Sequence, residues 1–287
     1  MCKEFYTGLI EATDNNQAFV QVFYAYGSHI GEAIDSMLSY AIEIGLKNPK
    51  VVEADFYQFE NLSDDAMKVD GLDIYFINER YYFPINEFTS FQLPYGVILS
   101  CIEGEFEPEL IKEGFTRYTD DNEIKHLDIV IDRSKLLDAF LSIAEKLNSI
   151  RVLWVRLEKD WEDGQEFEFY ANESLNNISN IKNFILDNIN DILLNGYLST
   201  TIYSSDGATN VSIDKHKKIH ISTKSSEFID LAANYIENMN LNFYDFDNFY
   251  SIDYGYYHYH YRPTNSKSRM DLIKHLKENG FYLWRRE

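Results

Sequence analysis

Hydrophobic residues recur along the chain with two different periods, and the change between them predicts both strands and helices. A unit of strand, helix and strand occurs three times. The three units cover 19–26, 30–44 and 51–57, then 127–131, 136–147 and 151–157, then 218–222, 227–239 and 242–246. This pattern predicts an α+β fold, in which mixed sheets carry the helices of repeated strand–helix–strand units.

Further segments extend this predicted fold. Isoleucines spaced three or four residues apart predict a helix over 177–194, because that spacing places them on one helical face. β-Branched and aromatic residues predict additional strands at 71–85, 94–102, 197–203 and 254–261.

A polar run at 119–125 predicts a division into two halves, an acidic one at 1–124 and a second at 125–287. No proline- or glycine-rich linker separates them, so we expect the halves to pack on each other. The boundary is therefore soft, and the chain is equally compatible with one compact unit.

Charge is distributed unevenly between these halves. The 287 residues include 47 acidic and 26 basic side chains, a net charge of −21, and the first 125 residues hold 23 of the acidic and 8 of the basic ones. Such a field accelerates encounter with a basic partner and opposes approach to nucleic acid phosphates. The alternative interpretation is a solvated surface that keeps the protein in solution.

Two acidic blocks, 53–79 and 103–123, contain most of this charge. We predict that their carboxylates bind a basic protein, and the predicted partner-binding residues are Glu53, Asp55, Glu60, Asp64, Asp65, Asp70, Asp73, Glu103, Glu105, Glu107 and Glu109. The last four alternate along the chain, so they would line one face of a strand. Like charges placed in this way need water, a cation or a basic partner.

Several classes of protein are not expected from the sequence. Cys2 and Cys101 cannot form a disulfide framework, which favours a reducing compartment. The first residues contain no apolar run behind a basic patch, and no stretch approaches the about 18 apolar residues of a membrane span. We therefore expect a cytoplasmic protein that binds neither membrane nor nucleic acid.

A search for catalytic motifs finds no phosphate-binding loop, nucleophile elbow, Cys-x-x-Cys pair or helical zinc motif. The best candidate is His258-Tyr-His260, because alternation along a strand places both imidazoles on one face. A third metal ligand could be His216, His220 or Asp253. His220-Ile-Ser222 also resembles one half of the paired signature of two-histidine phosphoesterases, whose second half is missing here.

Tyrosines surround this histidine pair, which favours an aromatic sheet face in which the histidines bind tyrosines or carboxylates. We accordingly predict no catalytic residue, no bound metal and no cofactor, with His258, His260 and His220 as the main metal candidates. The strand around Cys101 is apolar, so we expect an inert thiol there.

A family resemblance rests on five phrases of the sequence. They are Gly27-Ser-His-Ile-Gly-Glu-Ala-Ile, Asn48-Pro-Lys-Val-Val-Glu-Ala-Asp-Phe-Tyr, Asn195-Gly-Tyr-Leu, Ser251-Ile-Asp-Tyr-Gly-Tyr-Tyr-His-Tyr-His-Tyr-Arg-Pro and Asn279-Gly-Phe-Tyr-Leu-Trp. With its size, acidity and α+β character, the chain resembles bacterial immunity proteins of contact-dependent growth inhibition and other polymorphic toxin systems. The resemblance implies a role as a toxin-neutralising protein without assigning binding residues.

The leading hypothesis is therefore a non-enzymatic immunity protein. It would bind a basic cognate toxin domain, a nuclease in our interpretation, and occlude its active site with the acidic surface. One alternative is a metal-dependent or phosphoester hydrolase that uses His258 and His260. Others are a nucleic-acid mimic that inhibits a DNA-binding enzyme, and a scaffolding module that self-associates.

Overall fold

A computed structural model describes residues 3–14, 17–100, 111–254 and 257–287 of the chain. Within these ranges the protein has six α-helices and two mixed sheets, so the predicted α+β fold is confirmed. The strands are β1 Glu4–Asp14, β2 Gln17–Gly27, β3 Lys47–Phe56, β4 Ala66–Lys68, β5 Ile74–Ile77, β6 Tyr81–Pro84, β7 Val97–Leu99, β8 Gly114–Thr119, β9 Lys125–Val130, β10 Ile150–Leu157, β11 Glu168–Asn172, β12 Leu198–Ser204, β13 Thr209–Ile213, β14 Ile219–Thr223, β15 Asn242–Phe243, β16 His258–His260 and β17 Tyr282–Arg286. The helices are α1 Ile30–Glu43, α2 Leu136–Ala144, α3 Ile178–Asp187, α4 Ile189–Ile192, α5 Ser226–Asn238 and α6 Arg269–Glu278.

The first sheet has the strand order β16-β7-β3-β1-β2-β5-β4, and β6 pairs with β2. β1 and β2 form a long antiparallel hairpin, and α1 carries the chain from β2 across to β3. The helix begins after His29, whose ring accepts a hydrogen bond from the Glu32 amide. It buries one apolar stripe against β1 and β2 and ends before Gly45, whose φ of 83° suits glycine.

The second sheet has the order β15-β8-β9-β14-β13-β12-β10-β11-β17. Alternate residues of β9, β10, β12, β13 and β14 are almost fully buried, and they form one core with α2, α3, α5 and α6. The polar residues between them lie on the opposite face, because side chains alternate along a strand. The helix predicted over 177–194 is interrupted at Asn188, whose amide side chain donates to the Phe184 carbonyl and separates α3 from α4.

The two sheets meet near β16, which comes late in the chain and pairs with β7 at one edge of the first sheet. A third core cluster joins Val97 and Leu99 of β7 to Val130 of β9 and to Ile252. Beside it the Gly196 amide donates to the Tyr261 carbonyl at 2.8 Å, and the Tyr261 amide donates to the Gly96 carbonyl at 2.9 Å. The segment of β16 and Tyr261 therefore connects both sheets.

The predicted boundary between 1–124 and 125–287 falls between β8 and β9, which pair with each other in the second sheet. The same division places β16 in the second half of the chain, although β16 pairs with β7 in the first sheet. The two sheets therefore do not divide the chain at the polar run. β1 and β13 were assigned no element by the sequence analysis, although each alternates buried and less buried residues.

Candidate metal centre

Two histidines of the centre come from β16. Because side chains alternate along this strand, His258 and His260 project from one side, and their ring centroids are 5.0 Å apart. Tyr259 lies between them in the sequence and packs with the core around α1. Both imidazoles are half-buried. The strand predicted from the sequence is confirmed for His258, Tyr259 and His260.

The third histidine, His216, lies in the loop between β13 and β14 of the second sheet. Its ring centroid is 5.0 Å from that of His258 and 5.2 Å from that of His260. One ligand nitrogen from each of the three rings lies within 4.8 Å of the others. Nitrogens that share one tetrahedral zinc ion are about 3.3 Å apart, given Zn–N bonds of about 2.05 Å. Small side-chain adjustments therefore suffice to bring three imidazoles onto one ion.

The loop that bears His216 is held in place by its neighbour Lys217. This residue has a φ of 64°, and its ammonium donates to the carbonyls of Asn195 at 2.6 Å and Leu198 at 3.3 Å. The loop is closed by Asp214, whose carbonyl accepts from the Lys217 amide and whose carboxylate accepts from the Lys218 amide. Burial lowers the pKa of Lys217 to about 7. The buried lysine thus joins the His216 loop to the turn that precedes β12.

Strand β16 is positioned by its pairing with β7 and by a close approach of two glycines. A Cβ atom built on Gly196 would lie 1.8 Å from the Gly96 carbonyl oxygen, and Gly96 itself has a φ of 98°. Only glycine fits at Gly196 without moving the backbone. This contact places the turn at Asn195, and with it the Lys217 anchor, next to the histidine strand.

Burial favours the neutral form of two of these imidazoles, His216 and His260. Burial lowers the pKa of His216 to about 4. Burial, together with the adjacent rings of His216 and His258, also lowers the pKa of His260. The buried Nε2 of His260 has no hydrogen-bond partner among the described residues. A neutral imidazole offers a lone pair to a metal ion, and an unsatisfied buried nitrogen is costly unless something binds it.

Two carboxylates adjoin His216. Asp214 and Asp253 each place an oxygen within 4.8 Å of a nitrogen of this ring and of each other. Burial raises the pKa of Asp214 to about 6. The ammonium of Lys218 lies 3.1 Å from Asp253 and 3.1 Å from Asp128. Although burial opposes it, attraction by Asp128, Asp214 and Asp253 raises the pKa of Lys218, so this cation persists.

His220 does not join the three-histidine cluster. Its Nδ1 atom lies 2.5 Å from the Asp128 carboxylate, which also accepts the Lys218 ammonium. Of the histidines that the sequence analysis offered as a third ligand, the structure brings His216, and not His220, next to His258 and His260. The geometry also gives no support to the half-signature His220-Ile-Ser222.

The predicted acidic residues differ in where the structure places them. Cys101 and the run Glu103, Glu105, Glu107 and Glu109 lie outside the described residues. The carboxylates that project into solvent are Glu60, Asp64, Asp65, Asp70 and Asp73, whereas Glu53 is half-buried.

Asp55 corrects the prediction of a partner-binding carboxylate at that position. It is buried and accepts hydrogen bonds from the Ser100 hydroxyl at 2.6 Å and the Tyr259 hydroxyl at 2.5 Å. The enclosed carboxylate links β3 to β16 within the first sheet, and it offers no free surface to a partner.

An aromatic cluster that the sequence analysis missed adjoins the exposed acidic residues. Its rings contact one another across β1, β2, β5 and the segment after β3, and they belong to Phe5, Tyr24, Tyr26, Tyr57, Phe59 and Tyr75. Burial and then nearby groups, including Glu60 and Asp73, raise the pKa of Tyr26. The alternating aromatic residues of β2 and β5 were the available sequence signal for this cluster.

Comparison of the chain with protein-family models, with curated proteins and with solved structures found no match. The resemblance to immunity proteins therefore stays a prediction. In the part of the chain that the structure describes, no helix combines the length and the apolar character needed to cross a bilayer.

Proposed function

We propose that His216, His258 and His260 bind a divalent transition-metal ion and that the protein is a metal-dependent hydrolase. The observation that carries this proposal is the convergence of three imidazoles, one from the β13–β14 loop and two from β16, each with a ring nitrogen within 4.8 Å of the others. Imidazole nitrogens suit zinc, iron, nickel and copper. Three histidines on one ion are also the ligand set of a known class of catalytic zinc sites.

The chemistry follows from the ligand number. Three protein ligands leave at least one coordination position for water, and a bound divalent ion lowers the pKa of that water to about 7. Held by His216, His258 and His260, such an ion would supply an activated water and Lewis-acid polarisation for the hydrolysis of an ester. All three histidines are only partly buried, so the cluster is not completely enclosed by protein.

Metal analysis of protein purified without a histidine tag tests this proposal. We expect about one zinc or iron ion per chain, and a loss of at least a hundredfold in zinc affinity in the double variant His258→Ala and His260→Ala. His275→Gln is the matched control, because His275 lies on α6 and binds Asn188. A wild-type protein that binds no transition metal at millimolar concentration would show that the proposal is wrong.

A second candidate function is the immunity role, in which the protein neutralises a basic toxin without catalysis. The specific observation in its favour is the aromatic cluster beside exposed carboxylates, since Phe59 is 42% exposed and lies close to Tyr26 and Tyr75. Arginine and lysine side chains bind both carboxylates and the faces of aromatic rings. A nucleic-acid mimic would need the carboxylates alone.

This second candidate is tested with the purified toxin domain encoded next to the gene. Charge reversal of Glu60, Asp65 and Asp73 to Lys should slow association and reduce its salt dependence, since these charges steer the encounter. Reversal of Asp187, Glu237 and Glu278, which lie on helices of the second sheet, gives the same change in net charge as a control. Equal association rates for both triple variants, or no binding at all, would contradict the immunity role.

A further inference from the structure

Lys215 directly precedes His216 in the loop between β13 and β14, and it brings a positive charge next to the proposed metal centre. The inference drawn from it rests on the proposed function and concerns the class of ester that the site takes. The Lys215 side chain is 28% exposed, and its ammonium lies 3.6 Å from a carboxylate oxygen of Glu158. That separation exceeds a hydrogen bond, so the three ammonium donors have no acceptor among the described residues.

Glu158 does not depend on this lysine for its own neutralisation. Its carboxylate is buried, and one oxygen accepts hydrogen bonds from Arg156, at 2.9 Å from Nε and 2.6 Å from Nη2. Charge-assisted bonds of this kind are among the strongest hydrogen bonds in proteins. Arg156 therefore balances the charge of Glu158, and the positive charge of Lys215 is left for another anion.

Glu158 also locates the lysine beside the histidines. Its amide donates to the Tyr197 carbonyl at 3.0 Å, and the Tyr197 ring meets the His260 ring edge-on, with 6.1 Å between the centroids. Lys215 itself is peptide-bonded to His216, whose ring centroid is 5.2 Å from that of His260. The ammonium is thus tied to the centre both through its ion-pair partner and through its own backbone.

The charges that act on the imidazoles agree with this placement. After burial and the neighbouring rings, the positive charges of Lys215 and Lys217 lower the pKa of His260. Burial acts most strongly on His216 as well, and Lys215 lowers the pKa of that ring while Asp253 opposes it. The His260 side of the centre is therefore positive and attracts an anion, although the chain as a whole carries a net charge of −21.

A metal ion and an adjacent ammonium together select a substrate with two oxygens at the reacting atom. A carboxylic ester has one carbonyl oxygen there, whereas a phosphoester has at least two non-bridging oxygens that share negative charge. Lysines and metal ions clamp phosphoryl groups in this way. We propose that Lys215 binds a non-bridging oxygen of a phosphoester, so that phosphoesters are the substrates of the three-histidine centre.

The overall reaction is a hydrolysis that needs no further reactant. Water supplies a hydroxyl group to phosphorus, the bond between phosphorus and the leaving oxygen breaks, and the leaving alcohol departs with the remaining proton of the water. Lys215 takes no part in these bond changes. Its role is to hold the substrate by charge.

Calorimetric titration of the zinc-loaded full chain with inorganic phosphate tests this inference without catalysis. We expect Lys215→Gln to weaken phosphate binding about tenfold or more, which corresponds to the loss of one hydrogen bond to a charged group. Lys215→Arg should restore most of the affinity, because it restores the charge. Zinc affinity should stay within about threefold of the wild type in both variants, since Lys215 does not hold the ion.

Lys125→Gln is the matched control. It removes the same charge from a half-buried lysine at the start of β9, which pairs with Thr223 at the end of β14 remote from the His216 loop. We expect its phosphate affinity to equal that of the wild type. Equal affinities in Lys215→Gln and the wild type, or equal losses in Lys215→Gln and Lys125→Gln, would overturn the role of Lys215.

Hydrolysis of two 4-nitrophenyl esters gives a second readout. Bis(4-nitrophenyl) phosphate is an anionic phosphodiester, whereas 4-nitrophenyl acetate is neutral and has the same leaving group. Lys215→Gln should raise KM for the phosphodiester about tenfold and leave kcat/KM for the acetate within about threefold of the wild type.

The outcomes separate this inference from the proposed function. A wild type that binds zinc but not phosphate, or that hydrolyses the acetate and not the phosphodiester, would overturn the phosphoester class while leaving the three-histidine centre intact. A wild type that binds no zinc would overturn the centre itself, and the inference with it.

Discussion

The ammonium of Lys217 donates a hydrogen bond of 2.6 Å to the carbonyl of Asn195, which lies 22 residues earlier in the chain. The lysine is buried, adopts a left-handed backbone conformation and immediately follows His216. Asn195 precedes Gly196, which touches the first sheet at Gly96. One buried side chain thus connects the third histidine to the contact between the two sheets.

Replacement of this anchor should affect both stability and metal binding. Lys217→Met removes the donor from two buried carbonyls, so we expect a loss of about 1–3 kcal/mol in the free energy of unfolding. Zinc affinity should fall as well, because the His216 loop is no longer held. Lys215→Met is the comparison, since Lys215 is partly exposed and its ammonium lies 3.6 Å from the Glu158 carboxylate. Urea unfolding and zinc titration check both effects, and equal losses in the two variants would contradict the role of Lys217.

The glycine contact between the sheets gives a second prediction. Gly196→Ala forces a methyl group to 1.8 Å from a backbone oxygen, so we expect a cost of about 3 kcal/mol or more, or failure to fold. Gly207→Ala is the comparison, because Gly207 has a φ of 68° but no atom within 4 Å of the added Cβ. That variant should lose only about 1 kcal/mol from backbone strain. Similar unfolding midpoints for the two variants would show that the sheets do not depend on this approach.

The pH dependence of stability should reveal opposite contributions from His216 and Asp214. The folded pKa of His216, about 4, lies below its ordinary value of 6.5, so the unfolded chain binds more protons in this window and stability rises with pH. The folded pKa of Asp214, about 6, lies above its ordinary value of 3.8, so stability falls as pH rises.

Two variants separate these contributions. Between pH 4 and pH 6, the free energy of unfolding should increase more steeply with pH in Asp214→Asn than in the wild type, because only the histidine contribution remains. In His216→Gln the slope should change in the other direction. Urea unfolding of metal-free protein at pH 4.5, 5.0, 5.5 and 6.0 measures the slopes. Identical slopes in all three proteins would refute this assignment.

Metal binding should stabilise the junction of the sheets, because His216 comes from the second sheet and the other two ligands from the first. A ligand at a hundred times its dissociation constant adds about 2.7 kcal/mol to the free energy of unfolding. We expect zinc or manganese to raise the melting temperature of the wild type and a chelator to reverse the rise. His260→Ala should melt at the same temperature with and without metal. A rise of equal size in that variant would indicate binding elsewhere.

Several features of the fold follow from local patterns in the sequence. The apolar stripe that runs from Ile30 to Ala41 determines α1, because residues three and four apart share a helical face regardless of what they pack against. The placement of His258 and His260 on the same side of β16 also follows from the alternation of side chains along a strand. Such properties depend on neighbours within a few residues, so the sequence alone was enough to predict them.

The metal centre itself was decided by tertiary structure. His216 is 42 positions from His258 in the sequence, and nothing in its local pattern distinguishes it from His220, which the fold places against Asp128. In the same way Asp55, one of many carboxylates in an acidic block, is buried because Ser100 and Tyr259 reach it from distant strands. Contacts of this kind depend on how the two sheets pack, and that packing results from many weak interactions along the whole chain. A ligand set drawn from separate sheets therefore exists only once the chain has folded.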